Sequence, residues 1–315
     1  MNDNITPYVR YIGADDKDLD LFESQYVVPQ GISYNSYVIT DEKIAVMDTI
    51  DQRKTEEWTV RLEEALEGRT PDYLIVQHME PDHAANIGWF AEKYPEATIV
   101  ASAKAIQMMP QFFEEVNFAG RTQTVKEGDT LCLGQHTLKF IMAPMVHWPE
   151  VMLTYEESEK ILFSADAFGK FGALCHEGEW IDEARRYYFN IVGKYGAQVQ
   201  ALLKKAAGLD IAMICPLHGP VLKENLGYYI GLYDTWSKYE PETEGVVVAY
   251  ASIHGNTAAA ARRMAEILSE KGAAEVMLID LCRDDMALAV ESAFRYSKMI
   301  VAASSYDAGV FLSLI

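Results

Sequence analysis

The sequence predicts an α/β protein in two parts: an N-terminal αβ/βα sandwich of two sheets with helices outside, then an incomplete, doubly wound parallel sheet. Three observations predict it. Strand-like and helix-like runs alternate through residues 1–240, with several consecutive β runs between 121 and 165. The acidic, proline-containing segment 238–245 is typical of a linker. Residues 245–315 then follow a strand–helix–strand–helix–strand order.

Apolar spacing assigns the elements of the first part. Residues 36–40 and 43–50 are strand-like, and residues 55–68 are helical, with Thr55 as the expected N-cap and Gly68 as the stop. The other predicted elements are a strand at 72–77, helices at 87–95 and 105–116, strands at 97–102, 122–128, 129–144, 151–156 and 160–166, one long amphipathic helix at roughly 182–206, a strand at 211–216 and a helix at 224–239.

The second part has a more regular pattern. Residues 245–272 read as a strand, a small polar loop and a helix. A second strand is expected at 274–281, a second helix at 286–297 and a third strand at 298–305. Strands that alternate with helices in this way form parallel sheets with helices on both faces.

Composition restricts the class of protein. The chain has 315 residues, half of them hydrophobic, and a formal net charge of −20. Nucleic acids and anionic membranes are therefore not expected as partners, because both repel an acidic surface. No signal-peptide pattern is present, and no apolar run reaches the roughly 18 residues of a membrane span. The four cysteines form no C-x-x-C pair, so buried reduced thiols and a cytoplasmic location are expected.

The segment QHMEPDHAAN, residues 77–86, holds four ligand-type side chains in six positions: His78, Glu80, Asp82 and His83. If the segment stays extended, only residues 78, 80 and 82 share a face. If the chain turns at Pro81, all four side chains converge just beyond the strand. Carboxylates and imidazoles packed together need a cation among them. A polar loop with incidental histidines is the alternative, and the density of ligands favours a metal site.

Three more candidate ligands follow predicted strands elsewhere in the chain. His147 follows LKFIM, Asp166 lies in LFSADAFG, and His218 follows IAMI. Strand ends of α/β folds gather at one edge of the sheet, where binding sites form. A single histidine there is more often structural, but the coincidence across four segments favours one shared site. The remaining histidines lack such surroundings: His136, His176 and His254.

The series HMEPDH, His147, Asp166 and His218 resembles the metal-binding signature of the metallo-β-lactamase superfamily. That superfamily usually shows H-x-H-x-D-H, and here Glu80 replaces the second histidine. A glutamate at this position, with a flavodoxin-like segment after it, resembles the flavodiiron proteins, or A-type flavoproteins. The resemblance covers essentially all of the chain. It implies a metallo-β-lactamase-like diiron domain at 1–240 and a flavodoxin-like FMN domain at 245–315.

The resemblance also implies a centre of two Fe ions. It places one iron on His78, Glu80 and His147, and the other on Asp82, His83 and His218, with Asp166 as the bridge. The residue types agree with this expectation, because a carboxylate in place of an imidazole makes the site harder and more anionic, which favours iron. Three histidines with one aspartate would instead suit zinc.

Two loops of the second part resemble flavin loops, namely ASIHGNT at 251–257 and SSYDAGVF at 304–311. Small residues in the first loop would let backbone N–H groups approach a phosphate at a helix start. A flavodoxin-like sheet has five strands and only three precede the end at residue 315, so a truncated domain that binds FMN weakly or not at all is expected. The implied FMN contacts are Ser252, Gly255, Asn256, Thr257, Ser304, Ser305, Tyr306, Asp307 and Gly309.

The function implied by the resemblance is reduction of O2 to water, of NO to N2O, or of both. Electrons would pass through FMN from a separate rubredoxin-like donor, within a head-to-tail homodimer. Two alternatives stay open: a zinc-dependent hydrolase on the same scaffold, and a catalytically silent flavin or oxygen sensor. Glu80 and the flavodoxin-like segment favour the oxidoreductase, while the sequence does not choose between O2 and NO.

Overall fold

The computed structural model describes residues 4–176 and 178–314. None of the helices formed by these residues is long and apolar enough to cross a lipid bilayer. The strands up to residue 215 are β1 (Val9–Tyr11), β2 (Ala14–Asp16), β3 (Leu21–Phe22), β4 (Tyr26–Val27), β5 (Ile32–Tyr34), β6 (Tyr37–Thr40), β7 (Ile44–Met47), β8 (Tyr73–Val76), β9 (Thr98–Ser102), β10 (Thr122–Val125), β11 (Thr130–Cys132), β12 (Thr137–Met142), β13 (Met152–Glu156), β14 (Ile161–Phe163) and β15 (Met213–Cys215).

Helices cover the outer faces of two sheets. The first sheet has the order β1-β6-β7-β8-β9-β10, and the second has the order β11-β12-β13-β14-β15. Strands β7 to β10 are parallel, whereas β12, β13 and β14 form an antiparallel meander to which β15 adds in parallel. The helices of this part are α1 (Thr55–Leu66), α2 (Pro81–Ala84), α3 (Ile87–Lys93), α4 (Ala103–Phe112), α5 (Trp180–Tyr187), α6 (Gly196–Ala206) and α7 (Leu226–Ser237).

Strand β8 shows why the apolar runs are continuous. Ile75 belongs to the core between the two sheets, while Leu74 and Val76 belong to the core beneath the helices. A strand that is buried on both faces needs apolar side chains at every position. The core between the sheets also contains Tyr37, Met47, Val100, Phe140, Ile161, Phe163 and Cys215. The predicted sandwich is therefore confirmed.

Ile161→Val should lower the free energy of unfolding by about 0.5–1.5 kcal/mol. Ile161 is fully buried between the sheets, so the lost methylene leaves a small void that rigid neighbours fill poorly. Urea denaturation measures the effect. Val60→Ala is the control, because Val60 is 56% exposed on α1 and should change stability by less than about 0.5 kcal/mol. Equal losses for the two variants would contradict this location of the core.

Residues after 242 form the predicted parallel sheet. Its strands have the order β17-β16-β18, and both pairs are parallel. Helix α8 packs on one face and helix α9 on the other, so the doubly wound arrangement is confirmed. The elements are β16 (Thr243–Ala251), α8 (Asn256–Glu270), β17 (Val276–Asp280), α9 (Met286–Arg295), β18 (Tyr296–Ala303), β19 (Ser305–Tyr306) and β20 (Gly309–Val310).

Two helix predictions were wrong in detail. Thr55 is not the N-cap: a 3₁₀ turn at Gln52–Lys54 precedes α1, and the Asp51 side chain caps it by accepting from Arg53 N at 2.8 Å. The Thr55 hydroxyl donates instead to the Gln52 carbonyl. An acceptor side chain four residues before Thr55 therefore starts the helical segment before the predicted position.

The long helix predicted at 182–206 is also broken, into α5, a π-helical turn, a 3₁₀ turn and α6. The Tyr239 hydroxyl causes the break, because it donates to the Gly193 carbonyl at 2.9 Å and accepts from Gly196 N at 3.2 Å. A polar group inserted into the helix ladder interrupts it. Gly196 is required there, since an added Cβ would lie 2.4 Å from the Ser237 carbonyl oxygen.

The predicted linker, 238–245, is not a free connection. Strand β16 already begins at Thr243, and Glu242 accepts a hydrogen bond from Arg185 Nε at 2.7 Å. Arg185 is 1% exposed and also donates to Glu291 on α9 at 2.9 Å. A buried ion cluster therefore holds this segment between α5 and α9. The charge composition of the segment did not predict that contact.

The cysteine prediction was only partly right. Among the described residues Cys215 is buried, whereas Cys132 and Cys175 are exposed and Cys282 is half-buried. All four thiols are free, as expected. Cys132 is exposed because it occupies the outward-facing position of β11, whose neighbour Leu131 points inward.

Candidate metal centre

The first ligand segment turns immediately after β8. Strand β8 ends at Val76, Glu80 occupies the N-cap position of α2, and Pro81 is the first residue of that helix. Proline suits this position because its fixed φ matches the helix and its missing N–H is not needed there. Of the two geometries considered for this segment, the structure has the turn at Pro81, which brings all four side chains to one side.

The other segments reach the same place through strand direction. Strands β12, β14 and β15 run in one direction within the second sheet, and each ends before a candidate ligand. His147, Asp166 and His218 therefore emerge from one edge of that sheet and face the segment after β8. All seven predicted ligands are brought together in this way.

The seven side chains form two clusters. In the first, Glu80 Oε2 lies 3.2 Å from His78 Nε2 and 3.0 Å from His147 Nε2. In the second, Asp82 Oδ2 lies 3.3 Å from His83 Nε2 and 3.2 Å from His218 Nε2. The ligand atoms of each cluster lie within 4.8 Å of one another, so each cluster has the dimensions of a single metal site.

Asp166 lies between the two clusters. Its Oδ2 atom is 3.2 Å from His78 Nε2 and 3.1 Å from His147 Nε2, both in the first cluster. Its Oδ1 atom is 3.1 Å from His83 Nε2 in the second cluster. One carboxylate thus presents one oxygen to each cluster, which is the geometry of a bridge between two ions.

The backbone on both sides of Asp166 is held in an uncommon conformation. Ala165 and Phe168 have φ values of 49° and 67°, in the left-handed region that non-glycine residues seldom adopt. Hydrogen bonds hold both, since Leu217 N donates to the Ala165 carbonyl and Phe168 N donates to the Tyr233 hydroxyl at 2.6 Å. Such conformations persist where the surroundings fix them, so the scaffold positions Asp166 in advance.

The site needs positive charge. Both oxygens of Asp82 and both oxygens of Asp166 are buried without a hydrogen bond. Burial alone would raise the pKa of Asp166, but His78 and His83 lower it strongly. Burial lowers the pKa of His147, but Asp166 and Glu80 outweigh that effect and raise it to about 9. Buried, unpaired carboxylate oxygens facing imidazole nitrogens fit a cluster of cations.

Two residues behind the ligands were missed by the sequence analysis. Glu150 is buried and its Oε1 atom lies 2.8 Å from His78 Nδ1 while accepting from Met79 N at the same distance. Asp48, also buried, accepts from the N and Nε2 atoms of Gln77 at 2.7 and 2.8 Å. Burial raises the pKa of Asp48 to about 6 despite these bonds. Asp48 directly follows the apolar run IAVM and Glu150 lies three residues after His147, so a sequence signal existed for both, but only the fold shows which groups they contact.

Glu150→Gln should weaken metal binding by about 10–100-fold. A carboxylate on Nδ1 fixes the imidazole tautomer that leaves Nε2 free as a ligand, and an amide does this less well. Competition with a chelator of known affinity measures the change. Glu156→Gln is the matched control, because Glu156 is equally buried but caps Ser158 and Glu159 N–H groups away from the site. Equal weakening in both variants would contradict the role of Glu150.

A cavity of about 310 Å³ reaches both clusters, since Glu80 of the first and Asp82 of the second line it. Glu80 and Asp82 form its floor, and Glu23, from the turn between β3 and β4, lies beside Glu80. Burial and the charge of Glu80 raise the pKa of Glu23 to about 7. The centre is therefore reached from solvent through a polar mouth, whereas the ligands themselves are almost fully enclosed.

The predicted flavin loops lie together at the end of the parallel sheet. Helix α8 begins after Gly255, which has φ 89° and whose N–H donates to Ser252 Oγ, and no side chain caps the helix. Thr257 and Ser304 join the two loops through their hydroxyls at 3.0 Å. The second loop is the hairpin of β19 and β20, with Asp307 in its turn. An uncapped helix start lined by hydroxyls fits a phosphate group.

The remaining residues predicted to contact FMN lie in the same two loops. The three histidines outside the clusters are either buried in a structural role or exposed. Asn256 opens α8, while Ser305, Tyr306 and Gly309 lie in the β19–β20 hairpin. His136 is buried and its Nδ1 atom lies 2.8 Å from Asp41 Oδ2, which gives it a structural role. His176 and His254 are exposed and lie outside the clusters.

Comparison with known proteins agrees with this fold and site. A two-sheet sandwich with ligands at one edge defines the β-lactamase-like class, and residues 32–219 match the family model described as ODP family beta lactamase. The flavodiiron protein from Giardia intestinalis superposes on the whole chain with a TM-score of 0.92 at 27% identity, covering 78% of that protein. The rubredoxin oxygen:oxidoreductase from Desulfovibrio gigas gives 0.92 at 26% identity, over 99% of this chain and 79% of that one.

Curated relatives give the same result. The chain is 31% identical to the anaerobic nitric oxide reductase flavorubredoxin of Aliivibrio fischeri over 98% of its length, and 32% identical to diflavin flavoprotein A 1 of Synechocystis sp. over 86%. It spans 64% and 48% of those relatives, respectively. The chain belongs to the flavodiiron proteins within the β-lactamase-like family.

Proposed function

We propose that this chain reduces O2 to water, NO to N2O, or both, at a diiron centre held by the seven clustered side chains. The observation that carries the proposal is the position of Asp166, with one oxygen facing each cluster. A pair of metals joined by a carboxylate suits a two-atom substrate, because both of its atoms can then meet a metal. The relatives named as a nitric oxide reductase and an oxygen oxidoreductase support the same chemistry.

Iron is preferred over zinc because of Glu80. Three carboxylates among seven ligands make the set harder and more anionic than the histidine-rich sets that suit zinc. Zinc-dependent hydrolysis stays the second candidate only because the scaffold is shared. When bound, the irons and FMN would supply electrons to the diatomic substrate, which is chemistry that protein side chains lack.

The residues of the chain itself would hold the two ions, orient their ligands and exclude bulk water from the centre. The two clusters fix the separation of the ions, and Glu150 orients His78 from behind. His218 is oriented similarly, since its Nδ1 atom lies 2.7 Å from the Ser33 carbonyl oxygen. All seven side chains are fully or mostly buried, which keeps bulk water from the centre. The polar mouth beside Glu23 therefore governs access.

We assign the diiron role to residues 1–240 and the FMN role to residues 245–315. Within the second range the phosphate would lie at the start of α8, near Ser252 and Thr257, and the ring beside the hairpin at 304–309. The electron donor would be a small rubredoxin-like protein. A head-to-tail homodimer would bring the flavin loops of one subunit close to the irons of the other.

Metal analysis followed by gas consumption tests the proposal. Protein from iron-replete medium should contain two irons per chain, one for each cluster. With FMN and a chemical reductant supplied, O2 or NO should be consumed at an electrode in proportion to the iron content. Stoichiometric zinc together with hydrolytic activity would overturn the proposal in favour of the hydrolase. Full iron without gas consumption would favour a sensor.

Flavin titration and light scattering test the remaining assignments. Any binding of FMN to the purified chain should be weak, and Thr257→Val should weaken it further because it removes a hydroxyl that joins the two loops. Binding that is unchanged by Thr257→Val would contradict the assigned loop. A monomer mass at micromolar concentration would contradict the homodimer.

A further inference from the structure

A mostly apolar cavity of about 380 Å³ lies next to the metal centre and shares no lining residue with the mouth beside Glu23. It lies between α6, α7 and the outer face of the second sheet, and it opens to solvent at a rim that includes Ala207, Asp210 and Gly227. Four positions of α6 line it, with the spacing of one helix face: Val199, Leu202, Leu203 and Ala206. Leu153 and Leu162 of the sheet form the opposite wall.

The cavity shares walls with the ligand segments. Val146, which lines it, directly precedes His147, and Ala167 and Phe168, which also line it, directly follow Asp166. Phe168 is fixed there by the hydrogen bond from its N–H to the Tyr233 hydroxyl. Residues that line the cavity are therefore direct sequence neighbours of the two ligands His147 and Asp166.

The lining is mostly apolar. Asp210 is the charged residue of the lining, and it lies at the rim, where its side chain is 78% exposed and pairs with Lys160. The Tyr233 hydroxyl is already occupied by Phe168. A mostly apolar cavity offers a water molecule few hydrogen bonds, and such cavities bind apolar molecules.

We propose that this cavity binds the small, uncharged diatomic substrate and holds it next to the metal centre. The proposal rests on the proposed function, because O2 and NO are apolar gases that partition into such a space. Two routes would then lead to the metal centre. One is the polar mouth at Glu23 and Asp82, and the other is the apolar cavity behind Val146 and Phe168. Charged or strongly hydrated molecules would be excluded from the second route.

Xenon, an apolar atom that reports on dry cavities, tests occupancy without any turnover. Crystals of the iron-loaded chain under xenon pressure should show anomalous density between α6 and the second sheet. Ala206→Phe should remove that density by filling the cavity. Ala201→Phe is the matched control, since Ala201 lies on the exposed face of the same helix. Absence of xenon from the unmodified chain would overturn the proposal.

Gas kinetics test the role. Ala206→Phe should raise the KM for O2 or NO by about threefold with kcat unchanged, the pattern of lost substrate binding, while Ala201→Phe should leave both constants unchanged. Melting temperature and iron content show whether each variant is folded, and Leu203→Trp provides a second filling variant. Xenon bound with unaltered KM in both filling variants would overturn the substrate role. If the parent chain consumes neither gas, the proposed function fails, and the xenon result still decides the cavity.

Discussion

Asp166→Ala should remove both irons from the purified chain rather than one. Asp166 Oδ2 lies 3.1–3.2 Å from His78 and His147, and Oδ1 lies 3.1 Å from His83, so the substitution takes a ligand from each cluster. The remaining carboxylates, Glu80 and Asp82, would then each belong to a cluster that has lost the carboxylate shared by both. Elemental analysis of protein grown with ample iron measures the outcome.

His83→Ala is the control for that experiment, because His83 contributes to the second cluster only. This variant should keep the metal of the first cluster. Thermal melting of both variants separates loss of metal from loss of fold. A full iron complement in Asp166→Ala would refute the bridging role, and loss of both irons from His83→Ala would show that the clusters do not bind independently.

Arg185→Met should lower the free energy of unfolding by about 3–5 kcal/mol. The substitution removes the counter-charge of Glu242 and Glu291, whose side chains are 15% and 3% exposed. Buried carboxylates left without a partner are costly, whereas the methionine keeps most of the packing volume. Calorimetry should show the largest change in the transition that involves α9 and β16, since the cluster joins them to α5.

Arg263→Met is the matched control for Arg185→Met. Arg263 pairs with Glu266 and Glu270 on the exposed side of α8, with 56% of its side chain accessible, so the loss should be below about 1 kcal/mol. Adding Glu291→Gln to Arg185→Met should recover part of the stability, because it removes one of the unpaired charges. Equal losses for the two arginine variants would mean that burial of the cluster does not matter.

Local sequence patterns predicted most of the sandwich and the grouping of the seven candidate ligands. Each segment that carries candidate ligands directly follows an apolar run, and strand direction then determines the edge where the segment emerges. The order of strands along the chain thus predicted that His147, Asp166 and His218 would meet the motif at 78–83. The parallel sheet after residue 243 was predictable for the same reason.

Contacts between distant residues were not predictable from such patterns. Glu150 meets His78 across 72 positions, and Tyr239 reaches Gly193 across 46 positions to break a helix that has regular apolar spacing. Arg185 meets Glu291 across 106 positions and pins a segment whose composition is typical of a linker. Each of these is a polar group buried by the fold, and only the complete packing specifies its partner.

The distribution of the clustered side chains from residue 78 to residue 218 has a consequence for biogenesis. During synthesis, His78 and His83 leave the ribosome well before β15 and His218 exist, so the second cluster stays open until the last strand of the second sheet has joined. Under the proposed function, the second iron site can be completed only after this strand has joined, because His218 follows β15 in the chain.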